Sequence, residues 1–353
     1  MPLFCLGSNG SGQLGLGHND DISTPTIMPV PEGLSTTERV QIVAGGNHTI
    51  LLTSTGQVFA AGTHDHGPTG VDISERKESS PVFVPVQLIK SGSLHPSPVN
   101  ICAATWEASA FVLDNRVLTC GYGSKGELGQ GAHRHTSPQP CEIEGFPPPG
   151  TSIIDISASM SHMVAVLSDG DVYGWGSGRK GQIGQPPIDK CWTPRKLSSI
   201  PFKAIRVVCG REFTYIVGSP DSGAHIILGN NKWNVISDAP PSITDWKDVG
   251  ASWGSIYVLF RSGEMLSWGR NDHGQLCPNG LPRISMIATG SEHCMAVSTT
   301  NKVLAWGWGE HGNCGLPTAP NGDVQDRCNE LEVQGVVVSL GAGCATSWIQ
   351  VAE

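Results

Sequence analysis

Charge is scarce in this 353-residue chain: Asp, Glu, Lys and Arg make up 15% of it, and the net charge is −9 at pH 7. Such a chain offers no broad basic face to a phosphate backbone, so direct nucleic-acid binding is not expected. Apolar runs of about 18 residues are missing too, so no membrane-spanning helix is expected. The opening Met1-Pro2-Leu3-Phe4-Cys5-Leu6-Gly7 lacks the basic and long apolar segments of a signal peptide. No Cys-x-x-Cys pair occurs. The nearest ligand-like sets, His64-x-His66 and the scattered Cys294, Cys314 and Cys328, lack zinc-site spacing. No resident metal or cofactor is therefore expected. The 11 cysteines are odd in number and dispersed. Reduced thiols fit best, in the cytoplasm with the nucleus as a second compartment.

Glycine and proline are plentiful instead, at 45 and 25 residues. They cost about 1 and 3 kcal/mol inside helices, which points to an all-β chain with many turns. The 39% hydrophobic fraction is enough for a core, and no Gly-X-Y period signals collagen.

One pattern recurs along the chain: a short apolar run, Gly-x-x-His, a second apolar run, a glycine turn, a β-rich run ending in Trp-Gly, then Gly-Gln-Leu-Gly. In its cleanest copy, residues 156–184, Ser159-Met160-Ser161-His162 leads to Val172-Tyr173-Gly174-Trp175-Gly176 and Gly181-Gln182-Ile183-Gly184. The Trp-Gly glycine returns at Gly7, Gly62, Gly121, Gly176, Gly229, Gly269 and Gly307. The position of the histidine is read as His48, Glu107, His162, Phe213, Ser255, His293 and Cys344. The first series starts before any Gly-x-x-His, and the second ends without a following Trp-Gly. Residues 3–17 would thus complete a unit begun by residues 337–351, closing a ring without free sheet edges.

Each unit reads as four strands. In the second unit they fall at 40–44, 49–53, 57–61 and 80–86, with a turn at Gly56. Four-stranded units at this period predict a seven-bladed β-propeller, with the chain, residues 1–353, as one domain. Gly-x-Gly-x-x-Gly occurs from Gly10, Gly121, Gly176 and Gly307, always in a predicted propeller loop with no helix after it. It belongs to the repeat rather than to a dinucleotide site.

The repeat resembles that of the regulator-of-chromosome-condensation family, over essentially the whole chain. Within that family the segment Gly7-Ser8-Asn9-Gly10-Ser11-Gly12-Gln13-Leu14-Gly15-Leu16-Gly17-His18-Asn19-Asp20-Asp21, with Thr24-Pro25 after it, is similar to the fungal α-tubulin-suppressor group. That resemblance implies a non-enzymatic adaptor, in a heterodimer with the small zinc-ribbon protein of diphthamide synthesis. The metal then belongs to the partner. It further implies support of diphthamide formation on elongation factor two and of Elongator-dependent wobble-uridine modification in transfer RNA, with Elongator as a further partner. The broader family implies an alternative, guanine-nucleotide exchange on a small GTPase. An enzyme over the central channel is a third possibility, for which no carboxylate or metal cluster speaks.

Departures from the repeat locate the candidate surface. Unit five has Gly229-Asn230-Asn231-Lys232-Trp233-Asn234 in place of Gly-Gln-Leu-Gly, and units five and six are short enough to have reduced outer strands. Trp106 and Trp253 fall in first loops of their units, Trp233 and Trp308 in third loops. In an up-and-down blade these loops share one face, so the four tryptophans are expected on it as a partner-binding surface. The alternative is that each packs on its neighbouring blade. Glu107, Glu212, Asp272, Glu292 and Glu310 lie in the same loops and are read as a negative ring for a basic partner, or as ordinary solvated charge. The partner-binding set is thus Trp106, Trp233, Trp253, Trp308, Glu107 and Glu292. His48, His162 and His293 are expected to hydrogen-bond between blades, and Trp175, Trp268 and Trp306 to pack.

Overall fold

A computed structural model describes residues 1–71, 79–86, 88, 97–198 and 200–352. Seven antiparallel sheets stand around a central channel. Blade one takes Val336–Ala342 and Thr346–Ala352 from one end of the chain and Leu3–Gly7 and Ile22–Ile27 from the other. Blade two is Val40–Ala44, His48–Thr53, Val58–Thr63 and Ser79–Pro85. Blade three is Ile101–Ala104, Ala108–Leu113, Arg116–Tyr122 and Thr136–Glu142. Blade four is Ile153–Ser159, His162–Leu167, Val172–Gly178 and Ile188–Lys196. Blades five and six have three strands each: Arg206–Cys209, Phe213–Val217 and His225–Gly229, then Trp246–Ala251, Ser255–Phe260 and Met265–Gly269. Blade seven is Ile284–Thr289, His293–Ser298, Val303–Trp308 and Asp323–Leu331. The ring closes as expected, with Leu3 opposite Gln350 and Gly7 opposite Thr346.

Burial explains the sequence pattern. The second strands His48–Thr53, Ala108–Leu113, His162–Leu167 and His293–Ser298 are buried at every position. Neighbouring blades cover both faces, so these strands read as continuous apolar runs rather than alternating ones. Fourth strands such as Thr136–Glu142 are mostly exposed. The core is divided among the blade junctions. Val112 and Val117 of blade three meet Met163 and Trp175 of blade four, while Val164 and Val172 of blade four meet Val207 and Ile216 of blade five.

The seven recurrent glycines are fixed by geometry. Their φ angles run from +95° at Gly176 to +120° at Gly229. A Cβ would stand 2.2 Å from the Ala345 carbonyl at Gly7, 2.3 Å from that of Asn47 at Gly62 and 2.5 Å from that of Ser161 at Gly176. Only glycine fits both constraints.

Their pairing corrects the reading of the histidine series. Gly62 pairs with His48 and Gly176 with His162, but Gly121 pairs with Ala108 and Gly7 with Thr346. Glu107 and Cys344 therefore stand one and two residues before the position assigned to them. Trp106-Glu107-Ala108 is the equivalent of Gly46-Asn47-His48.

The histidines reach the next blade. His48, His162 and His293 lie within 2.9, 3.0 and 2.9 Å of the Ser109, Thr214 and Ser347 hydroxyls. Those hydroxyls donate onward to the carbonyls of Pro68, Gln182 and Asn313 in the third loops. Each hydroxyl proton is thereby committed, so the histidine Nε2 is the donor. Burial holds all three imidazoles neutral, with pKa values pushed down to about 4. At three other junctions an indole uses the equivalent carbonyl: Trp175 donates to Glu127, Trp268 to Val235 and Trp306 to Gln275. Those tryptophans are buried packing residues, as the repeat predicted.

Candidate functional site

The first loops of successive blades form a belt around one mouth of the channel. The Gly46 N–H donates to the Trp106 carbonyl at 3.0 Å, Trp106 to Met160 at 3.2 Å, Arg211 to Trp253 at 3.0 Å, Trp253 to Ser291 at 2.8 Å and Ser291 to Gly343 at 3.0 Å. Side chains at this loop position are therefore displayed around the mouth on a backbone-bonded rim. Two of them are Trp106 of blade three and Trp253 of blade six. Their rings meet across the opening, with centroids 5.9 Å apart at a tilt of 45°. Glycine makes room for them: a Cβ on Gly46 would lie 2.6 Å from the Trp106 ring.

Trp233 joins this pair from the blade-five loop. It lines a cleft of about 310 Å³ together with Trp253, Arg211, Glu212, Arg270 and Glu292. Gly254 lets the walls approach, because a Cβ there would stand 2.8 Å from the Arg270 side chain and 3.3 Å from the Trp233 ring. The Arg211 guanidinium lies 5.4 Å from the centre of the Trp253 ring, and Lys232 and Arg270 each lie 5.2 Å from that of Trp233. These are cation–π distances.

Three of the four candidate tryptophans are thus gathered, and the fourth is apart. Trp308 is the last residue of a strand rather than a loop residue. It is half-buried between His273 and His311, with ring centroids 6.5 and 5.3 Å away. Only its backbone approaches the cleft, its N–H donating to the Glu292 carbonyl at 2.9 Å.

The acidic ring is altered more deeply. Glu107 is exposed, as expected. Glu292 is 4% exposed and ion-paired with Arg270, and it accepts the Gln275 amide at 2.9 Å. Arg270 also holds Asp272 through two bonds of 2.6 and 2.9 Å. Burial works against the Asp272 carboxylate, but the bonds from Arg270 and Gln275 outweigh it and lower its pKa. At Glu292 burial prevails and raises the pKa, with Gln275 and Arg270 opposing it. Glu212 is half-buried and accepts the Asn230 amide at 2.8 Å. The cleft is therefore lined by cations on indoles, with its acids already bonded. Arg211 carries a sequence signal, since it occupies the same loop position as Trp106 and Trp253. The Arg270–Glu292 pair had none, because it joins two loops that only folding brings together.

Gly250-Ala251-Ser252-Trp253-Gly254 has the spacing of a nucleophile elbow, but it is a strand-to-strand turn. Ser252 is buried in it, and its Oγ accepts the Ser255 N–H at 3.1 Å. The 11 cysteines form no disulfide, and burial raises the thiol pKa of Cys344 at the channel mouth.

Comparison with known proteins agrees with this architecture. Residues 2–349 match the RCC1-like domain family. An RCC1 repeat-containing protein of Schizosaccharomyces pombe is 34% identical over 99% of both chains. The secretion-regulating guanine nucleotide exchange factor of mouse is 25% identical, covering 90% of this chain and 76% of its own. The crystal structure of human WBSCR16 superposes with a TM-score of 0.83 at 17% identity, covering 100% of each chain.

Proposed function

The chain belongs to the RCC1-like domain family, and from that premise we propose that it is a non-enzymatic adaptor whose partner docks on the tryptophan face. The observation that carries this reading is the convergence of Trp106, Trp253 and Trp233 on one channel mouth and its adjoining cleft. Half-exposed indoles beside a concave surface are the usual anchors of protein interfaces. The partner in this reading is the small zinc-ribbon protein of the diphthamide pathway, bound as a heterodimer. The similarity of residues 7–21 to the α-tubulin-suppressor group supports that choice. The heterodimer serves diphthamide formation on elongation factor two and Elongator-dependent wobble-uridine modification, in the cytoplasm and the nucleus. The propeller supplies a rigid platform, and the zinc stays with the partner.

Calorimetric titration of the full chain with the zinc-ribbon protein tests this. Trp106→Ala, Trp253→Ala and Trp233→Ala are each expected to weaken binding by about tenfold or more while the urea midpoint changes little. Unchanged affinity in all three sinks the assignment of the face.

Nucleotide exchange is the second reading, favoured by the relative named as an exchange factor. Faster release of labelled GDP from a panel of small GTPases in stopped flow would select it. No acceleration leaves the adaptor reading alone.

A further inference from the structure

Trp233 stands in an unusual place for an indole. Its backbone is left-handed, with φ of +64°, and the residue is 41% exposed. Asn234 follows at φ +59°, a conformation asparagine tolerates, so the strain falls on Trp233. Neither residue is buried. Strained backbone of this kind clusters at ligand-binding and switch sites.

The charges around it are unevenly matched. Arg270 is neutralised by Asp272 and Glu292. Arg211 and Lys232 are exposed and form no ion pair among the described residues, although each lies over an indole. In a chain of net charge −9, these two cations stand unpaired beside indoles, and the cleft lining holds Arg211, Lys232 and Arg270 against Glu212 and Glu292.

We infer that this cleft docks an acidic, extended segment of the partner protein. Its carboxylates engage Arg211 and Lys232, and an adjacent large apolar side chain lies against Trp233 and Trp253. The inference rests on the adaptor reading and specifies the chemistry of the docking segment. A carboxylate paired with a cation that is already held over an indole gains a charge-assisted hydrogen bond with little new ordering. A nucleic acid would meet the same cations and aromatics, but two unpaired cations match the few carboxylates of a peptide rather than a continuous run of phosphates.

The test is a displayed library of short random peptides, selected on the full-length protein. Selected peptides are expected to carry Asp or Glu beside a large apolar residue. The best of them, made synthetically, is expected to bind about tenfold more weakly to the doubly reversed variant Arg211→Glu, Lys232→Glu, and equally well to Trp308→Ala. Replacing its acids by Asn and Gln, or raising salt from about 0.05 to about 0.5 M, is expected to weaken it similarly. Neutral or basic peptides, no selected peptide, or full binding by the reversed variant overturns the inference. So does an oligothymidylate that binds in an Arg211-dependent way, which would assign the cleft to single-stranded nucleic acid. Zinc-ribbon protein that still binds the reversed variant overturns this inference and leaves the adaptor reading standing. Acidic peptides selected by a chain that ignores the zinc-ribbon protein do the opposite.

Discussion

In blade four the third strand runs into Gly181-Gln182-Ile183-Gly184, whereas in blade five it runs into Asn230-Asn231-Lys232-Trp233. The blade-four loop is a compact plug. Gly181 and Gly184 turn the backbone at φ +83° and +91°, Ile183 is fully buried, and the Gln182 side chain accepts the Lys180 N–H at 2.9 Å. The Gln182 carbonyl then takes the Thr214 hydroxyl of the next blade at 2.7 Å. In blade five Asn231 organises the turn by accepting the N–H groups of Ile236 and Ser237 at 2.8 and 3.1 Å. Val235 fills the buried place, and its carbonyl takes the Trp268 indole at 2.8 Å. One acceptor per junction is retained and the rest of the loop is released. The difference shows which part of the repeat holds the ring together and which part is free to change.

The largest effect expected is at the feature both blades share. Gly176→Ala and Gly229→Ala each place a Cβ within 2.5 Å of a carbonyl oxygen at a positive φ, 2.5 Å from Ser161 and 2.3 Å from Glu212. Each is expected to cost about 3 kcal/mol, read as a fall in the urea midpoint. A tolerated Gly229→Ala would show that the irregular blade has escaped the hairpin constraint.

Acid separates the blades. The pKa values of His48, His162 and His293 fall from the ordinary 6.5 to about 4 on folding, because burial penalises the charged ring. Between those values the unfolded chain binds more protons than the folded one. The stability these residues contribute is therefore complete above pH 6.5 and drains away as pH falls toward 4. Each contributes a slope of up to about 1 kcal/mol per pH unit. Blades five and six carry Phe213 and Ser255 at this position and lack this contribution, although burial also lowers the pKa of His225 in blade five. His162→Phe, which copies blade five into blade four, is expected to remove roughly a third of the slope that these three histidines supply. An unchanged slope would place the acid sensitivity elsewhere.

Smaller effects probe the junction bonds. Trp268→Phe leaves the buried Val235 carbonyl without its donor and is expected to cost about 1–2 kcal/mol beyond the packing lost. Trp175→Phe does the same to the Glu127 carbonyl, and equal losses would show that the irregular junction is as well made as the regular one. The smallest effect is at Trp233. Trp233→Gly is expected to be more stable than Trp233→Ala by about 1 kcal/mol, since glycine accepts φ +64° without strain. Equal stability would mean that the loop relaxes once the indole is gone.

Much of the ring was legible in the chain because each blade repeats the same local problem. Recurring glycines announced the hairpins, the offset between the two series announced closure, and short units announced the three-stranded blades. The register slip at Glu107 and Cys344 was not legible. Ala108 and Thr346 carry no histidine to mark the position, and only backbone pairing fixes it. Loop topology sufficed to place Trp106, Trp253 and Trp233 together. It could not foresee that Trp308 would end a strand beside two histidines, or that Arg270 would consume the charge of Glu292. Those contacts depend on how far side chains reach between blades, which no pattern within one repeat encodes.

The blade that joins both ends of the chain also sets an order of assembly. Leu3–Gly7 finds its inner neighbour only in Thr346–Ala352, so the N-terminal strands leave the ribosome long before their partner exists. Six blades can form in sequence as they emerge, while the first-made pair waits with an open edge. Emergence of Thr346–Ala352 from the ribosome is the event that seals the ring, and a chain halted before that strand carries the Leu3–Gly7 edge exposed to pairing with other chains.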